Sequence, residues 1–209
     1  MPGPVIAWRA WALSGHDATL RLRPVGRFAR PWPPRRPVEA SCGHWRFHRA
    51  PSLGCTCGVH ASCEIELLQR ARGPAVVGTV ALWGTIVEHA LGYRARFGYP
   101  LRLCLVCPIC FWQLGLARAR VPVAVATLGR RQNMPLCDNH LSTASAVGLS
   151  VRRLTTADET LDALLDIYVV NELSFLDAIV GSAETTGLRS SAPARLRATD
   201  RYPGETRSG

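Results

Sequence analysis

The first thirty residues alternate. Trp8-Arg9-Ala10-Trp11-Ala12-Leu13 and Ala18-Thr19-Leu20-Arg21-Leu22-Arg23-Pro24 flank Ser14-Gly15-His16-Asp17. Apolar residues at every second position around a Gly/Asp turn predict a β-hairpin. Pro31-Trp32-Pro33-Pro34-Arg35-Arg36-Pro37 lacks ladder donors and reads as an extended connector. Glu64 to Ala71 carries helix formers and stops at Arg72-Gly73-Pro74, which predicts a short helix. Val76–Trp83, Thr85–His89 and Tyr93–Tyr99 then read as a strand meander, broken at Gly84 and Ala90-Leu91-Gly92 and closed by Pro100. Val121–Leu128 is a further strand with Gly129-Arg130-Arg131 as its turn, and Leu141–Val147 a short helix.

The clearest helical pattern comes last. Thr156-Ala157-Asp158-Glu159 is a capping box. Leu161, Leu164, Leu165, Tyr168, Val169, Leu173, Leu176 and Val180 keep one face apolar until Gly181, so the spacing predicts a core-closing helix over 156–181. From Ser182 onward the Ser/Thr/Arg/Pro/Gly composition predicts a disordered tail over 182–209.

Between these elements lie two Cys/His clusters. Cys104-Leu105-Val106-Cys107-Pro108-Ile109-Cys110 overlaps two C-x2-C steps, and Cys137-Asp138-Asn139-His140 adds a C-x2-H step downstream. A tight knuckle aims two thiolates at one point, and a second pair across a hairpin completes a tetrahedron. The expected ligands are Cys107, Cys110, Cys137 and His140, in an arrangement like a treble clef. Pro108 favours the knuckle between Cys107 and Cys110, which leaves Cys104 as surplus. The first cluster holds Cys42, His44, His48, Cys55, Cys57, His60 and Cys63. Here Cys42, His48, Cys55 and Cys57 form the preferred set, with His44, His60 and Cys63 as bystanders. Four protein ligands close a site and make it structural, because catalysis needs an open position for water or substrate. Two structural Zn2+ ions are therefore expected.

The fold class that follows is α+β: a small curved antiparallel β-sheet, two zinc-knot loops and a C-terminal covering helix. We expect one zinc-stabilised domain over 1–181. It divides into a β-rich part (1–100) with the first cluster, a treble-clef-like unit (101–150) and the amphipathic helix.

Composition limits the partners. The 209 residues have a formal charge of +10, and all 25 bases are arginine. The charge is uneven: residues 1–60 carry nine arginines against two acids, whereas 158–181 carry six acids and no base. Such an imbalance serves either internal pairing or a polyanion-binding face. Arginine interleaved with aromatics at Trp45-Arg46-Phe47 and Tyr93-Arg94-Ala95-Arg96-Phe97 is what stacking on nucleic acid would use. The longest apolar runs fall short of the roughly 18 residues of a spanning helix, so no membrane partner is expected. Arg9 interrupts the apolar start, so no secretory signal is expected either, and the cytoplasm is the expected compartment. Cysteines there read as ligands or core residues. Phosphate-binding glycine loops, nucleophile elbows and dinucleotide fingerprints do not occur in the sequence.

Taken together, Trp8-Arg9-Ala10-Trp11, Trp32-Pro33-Pro34, His48-Arg49-Ala50-Pro51, Cys55-Thr56-Cys57-Gly58-Val59-His60-Ala61, Leu82-Trp83-Gly84, Glu88-His89 and Gly92–Pro100 resemble a family of small actinobacterial proteins with no assigned activity. The resemblance spans about residues 8–140. It implies a fold unit and a compartment, and, since an aromatic usually stands where His60 does, a metal shell without His60. The expected function is a non-enzymatic zinc-binding module for nucleic acid or a protein partner. Two other classes stand beside it: a metal-dependent nuclease or hydrolase on a treble-clef-like framework using Glu88 and His89, and a purely structural or protein-interaction protein.

Overall fold

The structure, a computed structural model, describes residues 3–25, 30–43, 48–71, 73–128, 132–147, 151–174, 176–177 and 195–199. Among them a mostly antiparallel sheet and three α-helices define an α+β fold. The strands are β1 (Val5–Ser14), β2 (Arg21–Pro24), β3 (Val38–Glu39), β4 (Val59–Ser62), β5 (Val76–His89), β6 (Gly92–Leu105), β7 (Ala124–Leu128), β8 (Gln132–Leu136), β9 (Val151–Thr156), β10 (Asn171–Glu172) and β11 (Arg195–Thr199). The helices are α1 (Pro108–Leu114), α2 (Asp138–Ala146) and α3 (Ala157–Tyr168).

The alternating opening forms the expected hairpin, with Leu13 opposite Leu22 and Trp11 opposite Pro24. Strand pairing then closes on itself. β1 pairs with β5, β5 with β6, β6 with β4, and β4 with β1 through Trp8 and Ser62. That circuit demands strong curvature, and two register shifts in the β5–β6 ladder supply it. One lies at Gly84, whose φ of +79° suits glycine alone without strain. Gly84 therefore bends β5 and does not break it: the strand runs unbroken from Val76 to His89, with Trp83 stacked on Phe97 across the bulge. The other shift follows Thr79 and places Pro100 opposite Val80, where β6 tolerates a missing N–H and continues to Leu105.

Trp11 and Trp32 meet edge to face at 5.5 Å in the main core, alongside Leu22, Leu82, Ile86 and Leu103. α3 contributes Leu164 and Tyr168 to it. Tyr168 donates to the Trp32 carbonyl and accepts from the Leu22 N–H, which satisfies a polar tip in an apolar site. A second core gathers Ile65, Leu68, Val77, Val106 and Phe111.

Three expectations change. The capping box forms as read, with Thr156 and Glu159 bonding reciprocally, but α3 ends at Tyr168, where Val169 turns left-handed. Asn171 and Glu172 instead pair in parallel with β6, and Leu173 is buried in the second core. A sheet edge and a core pocket outcompete further helical bonds; residues 178–181 lie outside the described residues. In the stretch expected as a tail, 195–199 form β11 against β5, held also by Arg197 on Glu88, while 182–194 and 200–209 lie outside the described residues. Finally, α2 starts at Asp138, ahead of the expected Leu141, whereas the expected short helix forms as a 3-10 helix over Glu66–Arg70.

Candidate metal centres

Both clusters converge. In each, four ligand atoms lie within 4.8 Å of one another: Cys42, His48, Cys55 and Cys57 in the first, Cys107, Cys110, Cys137 and His140 in the second. All eight cysteines are free thiols.

The second centre is built on helix starts. Cys107 caps α1 and Pro108 occupies its first position, where a missing N–H costs nothing. Cys110 is one turn further on. Cys137 caps α2, whose first turn carries His140. The β7–β8 hairpin between the two helices fixes their separation. His140 Nδ1 lies 3.3 Å from Cys107 Sγ, 3.4 Å from Cys110 Sγ and 3.3 Å from Cys137 Sγ, and the Cys110 and Cys137 sulfurs are 3.7 Å apart. The three cysteines are buried with Ala126, Leu136 and Ala144 in a small core of their own. Burial pushes the Cys110 thiol up to about 11, and the adjacent Cys137 and Cys107 sulfurs add to it. Cys104 is set apart, inward on β6 opposite Val77, where burial raises its thiol to about 12.

The first centre is built on loops. Cys42 follows β3, and Cys55 and Cys57 precede β4. Cys42 Sγ and Cys55 Sγ are 3.7 Å apart, and His48 Nε2 is 3.2 Å from Cys57 Sγ. These ligands are half-buried. Cys42 and His48 also line a cavity of about 270 Å³ with Glu39, Arg49 and Arg96. Burial raises the Cys57 thiol, and the neighbouring Cys55 and Cys42 act in the same direction.

Two of the three bystanders, His60 and Cys63, stay outside. The exposed His60 ring bonds the Thr56 carbonyl at 2.8 Å, and Cys63 Sγ donates to the Ala90 carbonyl. His44, Trp45, Arg46 and Phe47 lie outside the described residues. Glu88 is held by Arg197, and the His89 ring accepts from the Leu91 N–H. Two arginines were not legible as part of the site. Arg94 is buried beneath the first loop, and Arg9 donates to the His60 carbonyl while lying over the Trp32 and Trp11 rings. Burial lowers the Arg9 guanidinium to about 10.

Tri-thiolate, mono-imidazole shells of this size are compatible with two bound metal ions. No helix among the described residues is long and apolar enough to cross a membrane. Comparison with family models, curated proteins and solved structures finds no match to the chain.

Proposed function

We propose that this chain is a non-enzymatic binding module whose loops are held to its sheet by two structural zinc ions, and that its partner is a protein. The observation that carries the reading is the pair of four-ligand shells. A zinc–sulfur bond of about 2.3 Å gives a tetrahedral edge of about 3.8 Å. The sulfur–sulfur separations of 3.7 Å match that edge. The second unit supports a treble-clef reading through its order of knuckle, hairpin and helix with ligands in the first turn. In this reading α3 is the covering helix, with Leu164 and Tyr168 in the core it closes.

A protein partner is favoured over nucleic acid by where the arginines go. Arg96, Arg102, Arg120, Arg153 and Arg197 each face a carboxylate. In the Tyr93–Phe97 strand, Arg94 is buried as well. By contrast, the second unit exposes Trp112, Leu114, Val121 and Val123, the kind of apolar side chains that protein interfaces cover.

Elemental analysis of the purified chain tests the metal reading: two zinc ions per chain are expected, and one after Cys137→Ser. A folded, metal-free monomer indifferent to strong chelators overturns it. Salt-sensitive binding to DNA or RNA would move the partner to nucleic acid. Cleavage on adding magnesium or manganese, abolished by His89→Ala, would replace the module with an enzyme.

A further inference from the structure

Arg94 is 9% exposed, and no carboxylate among the described residues pairs with it. Its Nη1 instead donates to three carbonyls of one loop, those of Ser52 at 3.2 Å, Cys55, and Cys57 at 3.1 Å. Two of those carbonyls belong to residues of the first centre, and the loop that carries them lies directly on the arginine. Gly58, at φ +135°, is so close that a Cβ there would come within 2.9 Å of the Arg94 Cβ. This accounts for the glycine that follows the C-x-C step. A second guanidinium, Arg9, donates to the carbonyl of His60, three residues beyond Cys57, and it too has no acidic partner among the described residues. Residues 44–47, outside the described residues, carry no acid in the sequence.

A cation taken out of water without a counter-charge is strongly destabilising. The region therefore holds positive charge that wants a negative partner. The first centre supplies one only when loaded: three thiolates, one neutral imidazole and one divalent ion sum to a net charge of −1. Four neutral ligands would supply none.

We propose that Arg94 is the internal counter-ion and loop organiser of the first metal centre, positioning Cys55 and Cys57 through their carbonyls while its charge balances the tri-thiolate complex. The inference rests on the reading of the clusters as metal sites. It adds that the affinity of the first centre depends on a residue that is not a ligand. The second centre has no equivalent arginine bonded to its knuckle carbonyls among the described residues, so it serves as a control within the same molecule.

The test uses the full chain loaded with Co2+, with Arg94→Gln and Arg94→Lys variants competed against a chelator. In Arg94→Gln, affinity at the first centre falls about 10–100-fold, the range for losing a residue that supports a metal ligand, while the second centre holds its ion as before. The thiolate-to-cobalt charge-transfer band of the first centre also moves to lower energy, since a nearby cation stabilises the sulfur electrons that the transition removes. Arg94→Lys keeps the charge but not the reach and placement of the Nη1 donor: it restores the band position and only part of the affinity. Wild-type affinity and band position in Arg94→Gln overturn the proposal, as does equal weakening of both centres. A wild-type chain that binds no cobalt at either cluster overturns the metal reading itself, a distinguishable result.

Discussion

Surroundings divide the eight cysteines three ways. Six converge in the two clusters, Cys104 is sealed in the core beside Val77 and Val106, and Cys63 is half-exposed with one weak bond to a carbonyl. Reactivity should follow, because the thiolate is the nucleophile and a bound thiolate is occupied. Cys104 titrates near 12, above an ordinary thiol, so at pH 8 it stays protonated and unreactive as well as inaccessible. We expect Cys63 alone to react with iodoacetamide in the native, metal-loaded chain at pH 8, read by peptide mass spectrometry. After chelation the six cluster cysteines should become labelled while Cys104 stays protected. Labelling of Cys107 or Cys110 in the loaded chain would count against their role as ligands. The two Cys/His groupings were legible in the sequence because the C-x-C, C-x2-C and C-x2-H steps are local. Arg94 was not: its acceptors lie 37–42 residues away in the chain. From the sequence it read only as one of the arginines interleaved with aromatics for stacking on nucleic acid.

Elements keep their type more faithfully than their ends. The start of α3 is written in four residues, Thr156 to Glu159, and both capping bonds form at 3.2 Å. Thr156→Ala should therefore cost about 1 kcal/mol. A lower urea midpoint with an unchanged slope is the expected signature, and an unchanged midpoint would show that tertiary packing, not the cap, sets the helix start. The end of α3 obeys a different rule. The apolar face reads on to Val180, yet the Leu173 N–H donates to the carbonyl of Leu103, seventy residues earlier. Residue 173 has a partner outside the helix only because position 103 lies beside it in the fold. Gly84 misled for a related reason: a lone glycine marks an irregularity, and only the partner strand decides whether that is a bulge or a break.

Across the whole molecule, the two centres differ in how they are enclosed. The second sits in its own apolar core between two helix starts, whereas the first ties together loops and borders a cavity. Chelator should therefore strip the ions in two kinetic phases, the first accompanied by faster hydrogen exchange at residues 40–58 alone. A single phase would mean that the centres act as one unit. What the amino-acid sequence determined by itself was whatever depends on near neighbours: the opening hairpin, the capping box and the short Cys/His steps of both clusters, together with the α+β class, because turn geometry, helix capping and chelate spacing act over a few residues. Only the tertiary structure decided the closed circuit of strands, the early end of α3, the pairing of 195–199 with β5 and the burial of Arg94. Each of those depends on which distant edge, carbonyl or pocket arrives opposite, and that is settled by packing the whole chain at once.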